Sequence, residues 1–411
     1  MTRPDWPTAL ADYGRHLHAL AGHRHHVVSP LGAWMVLAVC GGLAKEDAEA
    51  RSQLAEALRS EPVDAASFTG LLLSQPHPLV AAGAGLWVRS DMDNARVRRW
   101  RAGLPEQVDT GAIPSQEKLD QWAFDRTLGL IKRFPLTITP DSVCLLASAL
   151  ATKVSWEVPF QIVDAAELGA SRWDRSVARV LRTPNDPRHR QFLTDTADVG
   201  PVAVHLATAR GGLLVGSVLA ADPAAPADRI LAVAERVVTA EAQQPGQVER
   251  LSLFDLPLGP GPVWDIHEQE SDGGAGPFNA AERFTTIMPA WSANTDLDLT
   301  GQPQLGFGAA AGAIARALEL SHWQYSARQS AVAKYSAVGF EAAAVTALGI
   351  ALSARVPPPI TRQAVIRFRH PYAVVAATYN DSREPSPAVW GGLPVFSAWV
   401  AKAENADMPD R

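Results

Sequence analysis

The succession of hydrophobic patterns predicts an α+β fold. Helical spacing of apolar residues dominates the early part of the 411-residue chain, and short strand-like runs dominate the late part. The two patterns do not alternate as they do in parallel βαβ proteins. Hydrophobic residues make up 47% of the sequence, which is enough for a sizeable core. We therefore expect a single domain over residues 1–411, with no internal repeat.

The first part of the chain predicts three helices and two strands. Ser29 followed by Pro30 is typical of a helix N-cap with proline at the first helical position. Glu117 and Lys118 lie in the first turn of a later amphipathic pattern. In order, we expect a helix over 29–43, a helix over 45–59, a strand over 84–88, a helix over 115–134 and a long strand over 143–156.

Short strands dominate the later part. Gly211 and Gly212 separate two of them, over 202–207 and 213–219. Two stretches rich in proline, glycine or acidic residues, 222–227 and 259–276, are predicted to be surface loops. A helix over 309–320 is followed by strands over 366–368, 372–379 and 395–400.

Charge argues against binding to nucleic acid. The net charge is -6 and the pI is about 6.0, whereas a general nucleic-acid binder carries a strong basic surface. Arg96, Arg98, Arg99 and Arg101 do cluster, but their spacing suits the solvated face of a short helix. We therefore expect no nucleic-acid partner.

Cysteine content and the N-terminus bear on location. Cys40 and Cys144 are the only cysteines, and each lies in an apolar run, which excludes a disulfide framework. The first 20 residues contain no continuous apolar segment, so neither a secretory signal nor a membrane span is expected. The default location is the cytoplasm, and an extracellular one stays open if the sequence has been trimmed.

Few residues suggest catalysis or a metal site. His23, His25 and His26 lie close in sequence, but adjacent residues of an extended segment face opposite sides, and no second set of ligands is evident. We interpret them as a surface or helix-capping cluster, and His205 and His322 as isolated residues of the core or its rim. No phosphate-binding loop or dinucleotide glycine pattern occurs. We therefore expect no metal and no cofactor.

A stretch near the C-terminus alternates like a strand. It has the sequence GFEAAAVTALGIAL from Gly339 to Leu352, and three prolines follow at 357–359. With a period of two residues, one face is apolar apart from a threonine, and the other face carries the single charge, on Glu341. The first face contains Phe340, Ala342, Ala344, Thr346, Leu348, Ile350 and Leu352. A permanent core strand or a short helix would also fit this pattern.

Five segments occur in an order that resembles a known family. They are HHVVSPLGAWMVLAVCGGLA; DQWAFDRTLGLI, with Trp122, Thr127, Gly129 and Ile131; LLASALATKVSWEVPF, with Lys153, Trp156, Pro159 and Phe160; IMPAWSANTDLDL; and RFRHPYAVVAA, with His370, Pro371 and Tyr372. Together they resemble motifs of the serpins, the serine protease inhibitor superfamily, over roughly residues 25–400.

The resemblance implies a fold of three β-sheets with eight or nine helices and an exposed reactive-centre loop at about 337–359. In this family a protease attacks the loop as a substrate. The cleaved loop then enters the large sheet as an extra strand and traps the acyl-enzyme. The implied hinge of the loop is Gly339, Phe340, Glu341, Ala342, Ala343, Ala344 and Thr346. The implied residues of the breach and shutter, where the sheet opens, are Lys153, Trp156, Ser29, Ser148 and Gln329.

The position of the reactive bond follows from counting along the loop as the family does. The count from Gly339 places it at Ser353–Ala354, and a shift of one or two residues would bring Leu352 or Arg355 into the primary pocket of the protease. Leucine, serine or alanine there suits elastase-, chymotrypsin- or subtilisin-like enzymes. Arg355 would suit a trypsin-like enzyme.

The chain departs from the family pattern at the hinge and the shutter. Ala337 and Val338 stand where acidic residues are usual, and Phe340 stands where threonine or serine is usual, at the first inward position. Overpacking a sheet interior costs about 1–3 kcal/mol, which would slow insertion. In the shutter, the family's serine, asparagine and histidine are replaced by Ala33, Ser148 and Gln329.

Three functions are compatible with these observations. The preferred one is a monomeric suicide inhibitor whose partner is a serine or cysteine protease, without enzyme activity of its own and without a membrane partner. The second is a non-inhibitory serpin that binds or carries another molecule, motivated by Phe340, Val338 and the altered shutter. The third is an enzyme that has borrowed the fold.

Overall fold

The computed structural model describes residues 4–152, 154–173, 176–209, 211–270, 280–340, 360–380 and 387–406. Within these ranges the chain forms eight α-helices and nineteen strands. The α+β class predicted from the sequence is therefore confirmed. None of the helices in the described ranges is both long and apolar enough to cross a membrane.

Six of the eight helices lie in the first 126 residues. Two of them begin as local sequence signals require: the Asp5 side chain accepts a hydrogen bond from the Thr8 amide, and the Ser29 side chain caps the next helix, with Pro30 in its first turn. The helices are Trp6–Ala21 (α1), Pro30–Val39 (α2), Ala48–Leu58 (α3), Pro62–Ser74 (α4), Ala95–Ala102 (α5), Gln116–Arg126 (α6), Ala227–Gln243 (α7) and Phe307–Ala317 (α8).

The strands are concentrated after residue 140. In chain order they are His26–Val28 (β1), Val80–Val88 (β2), Val108–Gly111 (β3), Cys144–Thr152 (β4), Val154–Ser155 (β5), Gln161–Asp164 (β6), Arg179–Arg182 (β7), His189–Thr196 (β8), Gly200–Ala209 (β9), Leu213–Ala220 (β10), Gly259–Pro260 (β11), Trp264–Glu270 (β12), Ala280–Met288 (β13), Trp291–Asp298 (β14), Arg328–Tyr335 (β15), Gly339–Phe340 (β16), Ile360–Arg367 (β17), Tyr372–Thr378 (β18) and Pro394–Val400 (β19).

The described strands form two six-stranded sheets and three smaller groups. One large sheet has the order β1-β19-β18-β10-β9-β8, and the other has the order β11-β12-β17-β13-β7-β6. The smaller groups are β3-β2-β4, β14-β15 and the short pair β16-β5. The edge strand β4 of the β3-β2-β4 group and the edge strand β15 of the β14-β15 group border the same cavity. We call these two groups together the split sheet.

The main core lies between the split sheet and the first six-stranded sheet. Helix α2 is apolar on nearly every side and packs against both β4 and β19, so it fills the space between these two layers. Helix α7 covers the opposite face of the six-stranded sheet and forms a second apolar cluster with β9, β10 and β18. The split sheet is therefore supported from below by a rigid, buried helix.

Several predicted boundaries differ from the structure. The helix expected over 115–134 ends at Arg126, because Leu128 and Gly129 adopt left-handed backbone conformations with φ of 54° and 81°. The prediction of a loop over 259–276 is wrong in part, since β12 lies there and pairs with β17. Helices α1, α4 and α7 were not predicted, although α7 has a clear amphipathic pattern.

The predicted arginine-bearing helix is confirmed as α5. Arg98 and Arg99 are exposed on it, Arg96 is partly exposed, and Arg101 lies 3.3 Å from the Asp93 carboxylate. Val97 and Trp100 are buried on its other face. The cluster is therefore the solvated face of a short amphipathic helix, as expected from its spacing.

Candidate functional site

A cavity of about 840 Å³ separates the two halves of the split sheet. Its walls are β4 on one side and the start of β15 on the other, α2 lies beneath it, and α6 contributes Trp122 and Ala123. In the part of the chain that the structure describes, no ladder of hydrogen bonds joins β4 to β15. Each of these strands therefore presents an edge that can accept another strand.

The predicted shutter residues Ser29, Ser148 and Gln329 meet at the floor of this cavity. The Ser29 backbone amide donates to Gln329 Oε1 at 3.1 Å, and Gln329 Nε2 donates to the Ser29 carbonyl at 2.8 Å. Ser29 Oγ donates to the Val395 carbonyl at 3.0 Å, and Ser148 Oγ donates to the Gly32 carbonyl. An amide can satisfy a donor and an acceptor at once, so the single side chain of Gln329 links β15 to the residue that caps α2 through two hydrogen bonds.

One end of the split sheet is closed by the segment around Trp156, and we call this end the entrance. The Trp156 ring nitrogen donates to the Ser336 carbonyl at 2.9 Å, and its backbone amide donates to the Val338 carbonyl at 3.2 Å. The Phe160 amide donates to the Ala337 carbonyl at 2.8 Å. Three successive carbonyls are thus held by the segment 156–160. The other predicted residue of this region, Lys153, lies outside the described residues.

The chain reverses direction at the entrance. The Ser336 amide and hydroxyl both donate to the Gly339 carbonyl, at 3.0 Å and 2.8 Å, which closes a turn. Strand β16 then pairs antiparallel with β5, with Gly339 opposite Ser155 and Phe340 opposite Val154. Because β5 continues the direction of β4, the chain at Phe340 runs back along the split sheet.

The remaining predicted loop residues lie outside the described part of the chain. These are the hinge residues Glu341, Ala342, Ala343, Ala344 and Thr346, and the candidates for the reactive bond, Leu352, Ser353, Ala354 and Arg355. Their assignment stays a prediction.

Two buried histidines lie beneath the entrance. His189 Nε2 lies 2.7 Å from the Val158 carbonyl, which can only accept, so this nitrogen carries a proton. In a neutral His189 ring, Nδ1 then accepts a hydrogen bond from His205 Nε2 at 3.1 Å. Burial lowers the pKa of both rings. The edge of the Phe160 ring contacts His189. This pair therefore stays uncharged near neutral pH and packs under the segment that holds the turn.

The histidine pair corrects one interpretation of the sequence. The sequence predicts an isolated His205, but this residue lies on β9 beside β8, which carries His189. Strand pairing brings together residues that are 16 positions apart, and the spacing of two histidines in the sequence does not reveal the register of their strands.

Comparison with protein-family models and with curated proteins finds no match to this sequence. Comparison with solved structures does find matches over nearly the whole chain. Human thyroxine-binding globulin in complex with its hormone has a TM-score of 0.62 at 12% identity, covering 97% of this chain and 98% of that one. Serpin48 of the insect Tenebrio molitor, described as highly specific, has a TM-score of 0.60 at 12% identity, covering 98% and 100%. The thermophilic serpin tengpin in its native state has a TM-score of 0.63 at 12% identity, covering 98% and 95%.

Proposed function

We propose that this chain, which has the serpin fold, is a suicide inhibitor of a serine or cysteine protease. The observation that carries the proposal is the turn at Ser336–Gly339, which directs the chain back along a sheet with an open gap. In the proposed mechanism, residues 341–352 extend β16 into that gap after a protease has cut the loop. The gap between β4 and β15 would then hold a new central strand.

The register of β16 supports this mechanism. If it continues along β4, Ala342 would lie opposite Thr152, Ala344 opposite Leu150, and Thr346 opposite Ser148. Directly opposite residues share one face of a sheet, and Ser148 faces α2, where it bonds to the Gly32 carbonyl. The inward residues of the loop would thus be the same alternating set that is apolar in the sequence. Alanine at 342 and 344 keeps that face small.

The chemistry in this proposal belongs to the protease. Its nucleophile attacks the carbonyl of the residue before the scissile bond, Ser353 in the favoured count, and the C-terminal segment leaves with its new amine. The ester between the protease and Ser353 persists only if insertion is faster than hydrolysis. Elastase-, chymotrypsin- and subtilisin-like enzymes are the favoured targets, because residues 352–354 are leucine, serine and alanine.

The direct test is incubation of the chain with elastase, chymotrypsin, subtilisin and trypsin, followed by a denaturing gel. We expect a covalent complex with one of the first three enzymes, and N-terminal sequencing of the released peptide should begin at Ala354. A complex with trypsin alone would shift the bond to Arg355. A cleaved loop without a complex for all four enzymes would overturn the inhibitor proposal.

A second candidate is a non-inhibitory binding protein. Phe340 at the first inward position disfavours rapid insertion, and the cavity of about 840 Å³ has many apolar lining residues, such as Val36, Phe134 and Ile314. A solved structure of similar fold is a complex of thyroxine-binding globulin with thyroxine. This candidate would gain support if cleavage of the loop left the heat stability unchanged.

A further inference from the structure

Four buried polar side chains form a continuous chain outside the cavity of the split sheet. They are His18 of α1, His26 of β1, Ser397 of β19 and Glu235 of α7, and none is more than 3% exposed. His18 Nδ1 lies 2.7 Å from His26 Nε2, and His18 Nε2 lies 2.7 Å from Ser397 Oγ. Ser397 Oγ lies 3.4 Å from Glu235 Oε1. We call these four residues the relay.

The position of each proton follows from one end of the relay. His26 Nδ1 lies 2.7 Å from the Arg24 carbonyl, which can only accept, so His26 Nδ1 carries the proton. In a neutral His26, Nε2 then accepts from His18 Nδ1. In a neutral His18, Nε2 accepts from the Ser397 hydroxyl. The Ser397 proton is thereby used, so a hydrogen bond between Ser397 Oγ and Glu235 requires the carboxyl group to donate.

One other arrangement satisfies the same contacts. If His18 carried both ring protons, Ser397 would donate to an ionised Glu235, and the relay would hold an imidazolium and a carboxylate. Both charges would be almost completely removed from water, which disfavours the charged form of each group. Burial lowers the pKa of His18 well below its ordinary value and raises the pKa of Glu235 to about 8. The proton therefore belongs on the carboxyl group.

Charged groups around the relay do not reverse this balance. From α1, Arg15 favours an ionised Glu235 and Asp12 opposes it, and these two residues bond to each other. From the β1 side, His25 and Arg24 lower the pKa of His26 further, although burial is the main cause. Gly14 of α1 lies so close that a Cβ atom there would be 2.7 Å from Glu235 Oε1. The α1 backbone therefore packs directly against that oxygen.

We propose that Glu235 is a protonated carboxylic acid at neutral pH, and that its ionisation is a pH switch that destabilises the folded chain where α1 packs against α7. The proton at Glu235 orients every hydrogen bond of the relay, from α7 through β19 and α1 to β1. Loss of that proton leaves a buried negative charge facing the Ser397 oxygen.

A second buried glutamate on α7 provides a contrast. Glu241 accepts from Arg190 Nη1 at 2.6 Å and from the amides of Gly246 and Val248 at 3.1 Å and 3.3 Å. All these partners are donors, and a second cationic group, Arg250 Nη2, lies 3.6 Å from Glu241 Oε2. The two glutamates of α7 therefore differ in the kind of partner that surrounds them.

The pH dependence of stability has a definite sign. The pKa of Glu235 is raised from 4.5 to about 8, so between these values the folded chain holds a proton that the unfolded chain has released. The stabilisation of the folded chain by this proton is complete below pH 4.5. Between pH 4.5 and pH 8 the folding equilibrium constant falls by up to about tenfold per pH unit, and above pH 8 the stabilisation is lost.

The test compares the midpoint of thermal unfolding of the wild type with that of Glu235→Gln from pH 5 to pH 9.5. The glutamine can donate to Ser397 but does not titrate. We expect the midpoint of the wild type, relative to that of Glu235→Gln, to fall steadily up to about pH 8. Above pH 8 the difference between the two midpoints should stay constant. The control Glu241→Gln should lower the midpoint by a similar amount from pH 6 to pH 9.5.

A second measurement does not depend on a folded variant. Infrared difference spectra of the intact wild type between pH 6 and pH 10 should show loss of a buried carboxylic acid band. The proposal is overturned if this band is absent, or if the difference in midpoint between the wild type and Glu235→Gln does not change with pH.

Discussion

Phe340 is the last described residue before the loop, and it already pairs with Val154 of β5. Its position is the first one that an inserted strand would occupy. A phenylalanine at an inward position of a packed sheet costs about 1–3 kcal/mol relative to a residue that fits. If Phe340 takes that inward position in a cleaved chain, it would disfavour insertion and so favour the binding protein over the inhibitor.

We expect Phe340→Ser to increase the fraction of protease that ends in a covalent complex. Lowering the insertion barrier by about 1–3 kcal/mol would speed insertion by roughly 5- to 150-fold relative to ester hydrolysis. The measurement is the number of inhibitor molecules consumed per protease molecule trapped. Glu341→Ala, at the neighbouring outward position, is the matched control and should leave that number unchanged. Equal effects of the two changes would refute the role given to Phe340.

Gln329→Ala should lower the free energy of unfolding by about 1–3 kcal/mol, because the backbone amide and carbonyl of Ser29 would lose their partner in a buried site. Thermal or urea unfolding measures this loss. The control Ser330→Ala alters the next residue of β15, whose hydroxyl bonds to Asp296 on the exposed side, and should change stability by less than about 0.5 kcal/mol. A loss of similar size for both would contradict the bridging role of Gln329.

At the scale of single residues, the sequence predicted which residues form the shutter better than it predicted which polar side chains are buried against each other. Ser29, Ser148 and Gln329 were expected together, and the structure brings them together. His26 was expected at the surface, but it is buried against His18, because β1 is the edge strand of a sheet that α1 covers. A hydrophobicity pattern does not reveal which polar side chains find partners when buried.

At the scale of elements, β16 is only two residues long, but its pairing with β5 defines a register. A strand that continues this pairing would place residue 346 directly opposite residue 148. A shift by one residue would instead turn the inward side chains outward. The register therefore makes a testable statement about the cleaved form.

In the cleaved protein, cysteines introduced by Ser148→Cys and Thr346→Cys should form a disulfide, since Cβ atoms of directly opposite residues are about 4.5–5.5 Å apart. The background carries Cys40→Ala and Cys144→Ala. Mobility on a non-reducing gel detects the bond before and after cleavage by the protease. Ser148→Cys with Val345→Cys is the control of opposite orientation and should not form one. A bond in the control pair alone would show that the register has shifted.

The predictions of helices and strands are correct where local sequence signals are strong, and they are wrong where pairing with a distant strand determines the structure. Helix α2 begins at Pro30 as expected, because Ser29 caps it through a contact three residues away. Strand β12 was missed within a stretch rich in glycine, proline and acids, because its pairing with β17 joins residues about 100 positions apart. Tertiary pairing overrides weak local propensity at such places.

At the scale of the whole molecule, the split sheet is an incomplete structure with its supporting helix already in place. If the loop enters the gap, both free strand edges acquire partners and the cavity is filled. That change would stabilise the fold as a whole, and it gives the clearest distinction between the two candidate functions.

We expect the chain with a cleaved loop to unfold at a higher temperature than the intact chain. For a protein of this size, each kcal/mol raises the midpoint by about 2 °C, so a new central strand should raise it by roughly 10 °C or more. Differential scanning calorimetry before and after limited proteolysis measures the shift. An unchanged midpoint would mean that insertion does not occur and would favour the binding protein.

The sequence by itself determined the α+β class, the start of α2 and the two-residue alternation of 339–352, because each depends on residues that are neighbours along the chain. Only the tertiary structure decided that the Gln329 side chain bonds to both the amide and the carbonyl of Ser29, that the chain turns back at Ser336–Gly339, and that β4 and β15 stand apart. These features arise from the packing of α2 and the segment 156–160 against strands that local sequence patterns cannot place.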